Sequence, residues 1–402
     1  MKNIVIISPP LISIPTLYGG AIEKYVYNLG MMLSKSGYKI NIITIKDQVH
    51  KYKQNFINNS FKITRISVPK IFFIKGVIYN FKVFIKLFKS MNTDLIFFND
   101  VSQVFIPLML KVFNRNLLSI FTIHNVRPWF KTKNHTKIRN IIDFILGILS
   151  LKNANKIINF TNSMKNYIIS RFYINKNKIS IVPHGISKEI VEKYPIKLIK
   201  NNSSLFKIIF IGRIVKDKGL EFLIEALARL RNEMPQNFQI FLHIIGPTRG
   251  LFGNFLNENN KESKYLRKIE RLINKFHLNN NILFEGELKA SKIFDFLYNS
   301  DVYISPTLGE TFSLSALESL SVGIPVIITN YAGITEYLEN NKNCLIIPRK
   351  NVDAIVEAIK KILFNLDLQI NLVKNGKKTI LKRFIWEIII KKYNKIIKKL
   401  KK

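Results

Sequence analysis

"VYISPTLGETFSLSALESLSVGIPVIITN", residues 302–330, carries the plan of the fold in one stretch. An apolar run, a loop with proline and glycine, a helix-forming segment, a Gly-Ile-Pro stop and a second apolar run follow in order. That is one strand–helix–strand unit, and its two strands must lie parallel in a covered sheet. Glu310 in the loop and Glu318 in the helix stand eight positions apart among small and hydroxyl residues. In so basic a chain, two acidic residues at a loop-to-helix change need a reason.

The same alternation runs outward in both directions. "KNIVIIS", "GYKINIITI", "DLIFFN", "LSIFTIHN", "KIINFT" and "ISIVPHG" read as strands of a first domain. Ala21–Lys35 reads as a helix, because Ile22, Val26, Leu29, Met32 and Leu33 recur at helical spacing. "FKIIFIGRI", "FQIFLHIIG", "NNILFEG", "VYISPT", "PVIITN" and "NCLIIP" restart the pattern. The expected fold is α/β, with two Rossmann-like doubly wound domains facing across a cleft. Their expected limits are 1–196 and 205–377, joined by a polar linker at 197–204. From Lys378 the tail reads as one basic amphipathic helix, 378–402, packing back toward the first domain.

Length, at 402 residues, also points to two cores rather than one. The single cysteine, Cys344, cannot form an internal disulfide, which fits a reducing cytoplasm. No stretch of about 18 uncharged apolar residues predicts a spanning helix. The apolar start is broken by Pro9-Pro10 and lacks a clean cleavage site, which argues against an export signal. Net charge is +37; residues 1–200 hold 31 Lys and Arg against 7 Asp and Glu. Abundant Phe, Ile, Asn and Lys is what A/T-rich coding produces without selection, yet the excess is concentrated in the first half. That half is the expected face for an anionic partner. Within it, Lys82, Lys86 and Lys89 form a stripe on an apolar helix, which fits either a membrane surface or one solvated edge of a buried helix.

"FIGRIVKDKGLEFL" places Arg213 just beyond a strand and Lys218-Gly219 just before a helix. Two cations at the carboxyl edge of an α/β sheet, beside a helix start, make a phosphate seat; a plain solvated loop is the alternative. Free N–H groups around Thr311, Phe312, Ser313 and Leu314 would add to the attraction for an anion. Carboxylates at Glu310 and Glu318 suit sugar hydroxyls, which offer adjacent O–H donors. Glu318 has a competing reading, because Ser315-Ala316-Leu317-Glu318 fits a capping box. A glycosidase pair is the weaker reading of the two glutamates, since spacing along the chain says nothing about their separation in space.

Together "YGGAIEKYVYNL", "TIHN", "PHGI", "GRIVKDKG" and "GETFSLSALESLSVGIPVI" resemble the retaining glycosyltransferase family 4, of GT-B fold. The resemblance runs from Lys2 to about Trp386. It implies that Arg213 and Lys218 neutralise the diphosphate of a nucleotide-sugar donor, a UDP- or GDP-sugar. Glu310 would contact the donor sugar and Glu318 the ribose, with Thr311–Leu314 giving backbone N–H groups. Gly19 and Gly20 match the N-terminal glycine loop, and His124 a histidine near the transferred sugar. His124 and Glu310 are thus the expected catalytic residues, with no metal and no cofactor. Two positions depart from the pattern: Asn99 stands where relatives often carry histidine, and His184 where they commonly carry asparagine.

The expected activity is transfer of a sugar to an acceptor hydroxyl in polysaccharide, glycolipid or cell-envelope glycan synthesis. The expected partners are a glycan or lipid-linked acceptor and an anionic membrane, with the protein cytoplasmic or peripheral at the inner membrane face. A catalytically silent scaffold or sugar-nucleotide sensor is the second reading. Nucleic-acid binding or modification is a third, opposed by the lack of any helix-turn-helix, RRM or zinc-finger signature.

Overall fold

A computed structural model of the chain describes residues 2–16, 18–46, 54–69, 72–89, 92–100, 103, 105–113, 117–124, 145, 147–149, 151–196, 205–235, 237–247 and 261–401. The linker expected at 197–204 lies outside them. The chain forms two compact units. The first comprises residues 1–16, 20–185 and 386–402, and the second residues 17–19 and 186–385.

In the first unit the strands are β1 (Asn3–Ile7), β2 (Lys39–Ile45), β3 (Gln54–Asn58), β4 (Phe61–Ile66), β5 (Leu95–Phe98), β6 (Leu118–Thr122), β7 (Lys156–Asn159) and β8 (Ile179–Ile181). They form one sheet in the order β3-β4-β2-β1-β5-β6-β7-β8. The helices α1 (Ala21–Lys35), α2 (Phe72–Lys89), α3 (Phe105–Val112) and α4 (Asn162–Phe172) accompany them. Apolar runs such as Ile4–Ile7 and Leu95–Phe98 are buried along their whole length, as a sheet covered on both faces requires. One strand departs from the all-parallel expectation: β3 pairs antiparallel with β4. Only Asn59 and Ser60 separate them, and a two-residue connection allows no crossover.

The second unit holds β9 (Leu205–Ile211), β10 (Gln239–Ile245), β11 (Ile282–Gly286), β12 (Val302–Ser305), β13 (Val326–Thr329) and β14 (Leu345–Ile347). Their order is β11-β10-β9-β12-β13-β14, all parallel. Around them lie α5 (Lys188–Lys193), α6 (Leu220–Glu233), α7 (Lys261–Lys275), α8 (Ala290–Tyr298), α9 (Leu314–Val322), α10 (Val352–Phe364) and α11 (Leu366–Arg383). One core joins β9, β10 and β12 to α6 and α10 through Ile208, Leu242, Ile304, Leu223 and Ile359. Counted from its own first strand, the order is 3-2-1-4-5-6, and it reverses direction between β9 and β12. Such a reversal leaves a crevice beyond the strand ends, because neighbouring loops diverge to opposite faces. The first sheet has its own reversal between β1 and β5.

The tail is not the single helix expected from Lys378. Residues up to Arg383 complete α11, and α12 (Trp386–Lys401) begins anew in the first unit. The break has a packing cause. Phe384 is fully buried, with its ring against Phe312 and Tyr337, and its carbonyl accepts the Ile186 N–H at 2.8 Å. A continuous helix would carry Phe384 out of that seat. Within the first unit, the hydroxyl of Tyr393 on α12 meets that of Tyr25 on α1, both buried.

Glu23, in the first turn of α1, is the least expected buried group. It is 3% exposed, and its Oε1 has no hydrogen-bond partner. Burial raises its carboxyl to about 7; the charge of Asp100 adds to this, and the N–H groups of Glu23 and Ile12 oppose it. Between the ordinary value of 4.5 and about 7 the folded chain holds a proton that the unfolded chain has released. This contribution is therefore greatest at low pH and is lost as pH rises through 7. Glu23→Gln should raise stability at pH 8 by on the order of 3 kcal/mol and leave it unchanged at pH 4, read by urea unfolding at both. Phe384→Ala should cost about 3–5 kcal/mol at any pH, by loss of packing and creation of a cavity.

Candidate active site

The residues singled out in the second half of the sequence gather at the β9/β12 reversal. β9 runs out at Ile211, Gly212 follows, and Arg213 stands exposed at the carboxyl edge of the sheet. The chain then makes one 3-10 turn at Lys216–Lys218 before α6. Gly219 caps that helix with φ +67°, and a Cβ there would overlap the Pro306 carbonyl oxygen. Only glycine lets the two loops approach so closely.

The loop after β12 is fastened from both sides. The Asp217 carbonyl accepts the Leu308 N–H at 2.8 Å and the Thr307 hydroxyl at 3.1 Å. On the other side Glu310 N–H donates to the Tyr331 carbonyl at 3.0 Å, and the Phe312 carbonyl accepts Ile334 N–H at 2.7 Å. Side chains complete the link: Lys218 Nζ lies 2.6 Å from Glu310 Oε1. Both are about four-fifths buried, and Glu310 Oε2 is buried without a partner. A half-satisfied carboxylate beside a lysine is an open acceptor for a ligand hydroxyl.

Ser313 ends the loop in a strained conformation, φ 92° and ψ 86°, which a non-glycine residue rarely adopts. Its hydroxyl is buried without a partner and makes no capping bond. The capping-box reading of Glu318 fails here. The N-cap is Ser313, so Glu318 lies inside α9, and the Ser315 hydroxyl bonds Tyr303 instead at 2.6 Å. Burial, and after it the charge of Glu310, pushes the Tyr303 hydroxyl up, so it stays protonated. An uncapped helix start, with its N–H groups and dipole, thus sits beside the Lys218–Glu310 pair.

Gly20 and His124 belong to the first unit. Gly20 is the N-cap of α1 with φ +69°, and a Cβ there would press Glu23 Oε2 and Thr16 Cγ2 at 2.9 and 3.0 Å. Gly19, at φ +52°, belongs to the second unit, where a Cβ would meet Glu287 Oε1 at 2.6 Å. His124 follows β6, with its ring edge-on to Tyr25 at 4.7 Å and Nε2 3.1 Å from Asn99 Oδ1. Burial first, then His184, holds it well below the usual histidine range, so the ring is neutral at pH 7. His184 is buried against Phe160 and lowered to about 3. The sequence keeps Asn99 out of the expected catalytic set and gives no sign of a role for Gln103 or the Asp217 carbonyl. Only the departure from histidine at Asn99 marked any of them.

Two family models divide the chain between them. Residues 195–379 match glycosyl transferases group 1, and residues 18–189 match Glycosyltransferase Family 4. An uncharacterised glycosyltransferase of Methanocaldococcus jannaschii is 26% identical over the whole of both chains. The capsular polysaccharide biosynthesis glycosyltransferase CapM of Staphylococcus aureus is 27% identical over 63% of this chain and 65% of its own. Among solved structures, Anabaena HepE in complex with UDP-glucose superposes with a TM-score of 0.74 at 14% identity, over 99% of this chain and all of that one. That likeness shows the architecture, and the two family models show the descent. The chain belongs to the family 4 type of glycosyltransferases and has their two-domain GT-B fold.

Proposed function

We propose that this glycosyltransferase takes a sugar from a nucleotide-sugar, in the first instance a UDP-sugar, and passes it to an acceptor hydroxyl with retention. The single observation that carries this reading is the Lys218–Glu310 pair beside the uncapped, strained start of α9. Lys218 and Arg213 offer positive charge to a diphosphate, and N–H groups at Ser313 and Leu314 add fixed dipoles. Glu310 accepts from a hydroxyl of the sugar, and Glu318 from the ribose. Lys218 Nζ faces only one oxygen of Glu310, Oε1 at 2.6 Å, so a donor that gave a phosphate to the lysine and a hydroxyl to the carboxylate would replace one charged contact by two of the same kind.

Charge decides the chemistry. As the bond from the anomeric carbon to the phosphate oxygen breaks, negative charge grows on the diphosphate. The acceptor oxygen bonds to that carbon from the same face, and its proton passes to the departing phosphate oxygen. Preorganised cations and N–H groups stabilise the transition state more than the ground state, so neither an enzyme nucleophile nor a metal is required. The UDP-glucose bound to HepE supports a uridine donor, and CapM, a capsular polysaccharide enzyme, supports a glycan acceptor.

The acceptor side carries its own sign. On α2 and α3, Val77, Phe81 and Val112 are 68%, 59% and 74% exposed, and Phe88 and Phe113 pack ring to ring at the surface. Lys82 and Lys89 are exposed beside them, and neither helix contains an acidic residue. Exposed apolar side chains beside exposed lysines, on two helices without an acidic residue, fit an anionic lipid surface. No helix among the described residues is long and apolar enough to cross a membrane, so contact would be peripheral.

Two measurements test these readings. In a thermal-shift screen, a UDP-sugar at about 100 times its Kd should add about 2.7 kcal/mol of stability. Arg213→Ala should abolish that shift and lower kcat by roughly 10²–10³ while its own unfolding stays unchanged; a full shift in that variant would end the diphosphate role. Vesicles containing anionic lipid should sediment the protein at low salt, neutral vesicles should not, and Phe81→Ser with Val112→Ser should weaken the binding. Equal sedimentation with both vesicle types would remove the lipid reading.

A further inference from the structure

The carboxyl edge of the first sheet holds a chain of buried hydrogen bonds whose directions can be assigned without ambiguity. Gln103 is fully buried, and its Nε2 donates to the Ser8 carbonyl at 2.9 Å. Its Oε1 therefore faces the other way, and it accepts N–H groups from Asn99 at 3.0 Å and Asp100 at 3.3 Å. That fixes the backbone from which the Asn99 side chain departs. Asn99 is 2% exposed, and its Nδ2 donates to the Ile7 carbonyl at 3.0 Å. A carbonyl oxygen can only accept, so the amide cannot be turned over. Asn99 Oδ1 must then face His124, at 3.1 Å from Nε2.

An amide oxygen can only accept as well, so the imidazole has to donate from Nε2. A neutral ring carries one proton. With that proton on Nε2, Nδ1 is left with its lone pair, and among the described residues no side chain or backbone group bonds it. Three rings hold the imidazole in place: Tyr25 edge-on at 4.7 Å, Phe160 at 5.3 Å and His184 at 6.0 Å.

We propose that Asn99, fastened by Gln103, is a positioning residue that holds His124 in its Nε2–H tautomer, so that the Nδ1 lone pair is offered to a substrate hydroxyl. The hydroxyl donates and the histidine accepts. This rests on the glycosyltransferase reading for the substrate, but not for the tautomer. The ring never has to take up a proton, because burial keeps it neutral. It orients the hydroxyl and leaves proton transfer to the departing phosphate.

The tautomer is read directly from long-range proton–nitrogen spectra of the full chain labelled with 15N-histidine, with the His124 ring assigned by His124→Gln. The expected pattern is Nε2–H with an unprotonated Nδ1 from pH 8 to pH 6. Protonation at Nδ1 would overturn the proposal, and that reading needs no variant to fold. Kinetics give the second arm. Asn99→Ala should lower kcat/KM roughly fivefold to tenfold, the worth of one neutral hydrogen bond. In a His124→Ala background the same change should cost nothing further, because Asn99 acts through the ring. Losses that multiply in the double variant would make Asn99 merely structural and sink the idea. If no nucleotide-sugar shifts the melting temperature while the Nε2–H pattern is present, the donor assignment fails and the tautomer assignment stands.

Discussion

Two loops 92 residues apart in sequence are held together at the β9/β12 reversal by Lys218 Nζ on Glu310 Oε1 and by the Asp217 carbonyl. The arrangement of the second unit's loops at that sheet edge rests on that junction. It holds one oxygen of Glu310 on Lys218, and the close approach of the two loops requires glycine at 219, where any side chain would strike Pro306. The ion pair itself adds little net stability. Two charges about four-fifths buried lose hydration nearly equal to their mutual attraction. Its contribution is geometric, because it fixes the relation between a cation and a carboxylate before any ligand arrives.

A site prepared in this way carries its cost in unsatisfied groups. Glu310 Oε2 and the Ser313 hydroxyl are both buried without partners, and Ser313 occupies a backbone region that serine avoids. Such features persist only where the surrounding core outweighs them, and the parallel sheet under the loop supplies that excess. The first unit repeats the arrangement at its own reversal. There Glu23 is buried with one free oxygen, while Asn99 and Gln103 are each bonded through both amide oxygen and amide nitrogen. One reversal thus holds carboxylate and lysine, and the other amides, histidine and a carboxyl near neutrality.

Much of the site was legible because its residues are tied to local chain geometry. Arg213 and Lys218 announce themselves as cations between a strand and a helix, and Glu310 as an acid in the next such loop. The hydrophobic period marked every parallel strand of the second unit, since a strand buried on both faces leaves a continuous apolar run. The hairpin β3–β4 is not legible in the sequence. Its edge position relaxes that pattern, and "QNFINNSFKITRI" mixes polar and apolar residues without a clean alternation. The tail misled in the opposite way. Its helical period runs straight through Phe384, and only the aromatic seat formed by Phe312 and Tyr337 interrupts it.

By itself, then, the amino-acid order determined most of the strands and helices, that they alternate, and which charged residues stand at strand ends. These are properties of short windows, where side-chain period and backbone preference act within a few residues. Tertiary structure alone decided that Lys218 closes on Glu310, that Glu318 is not a cap, that Glu23 is buried, and that Asn99 faces His124 with its oxygen. Each of those depends on residues well apart in the chain, from 12 positions for Tyr303 and Ser315 to 92 for Lys218 and Glu310, meeting in space, where a hydrogen-bond direction or the room for one side chain settles the outcome. Local sequence contains the parts of such a contact but not their distance.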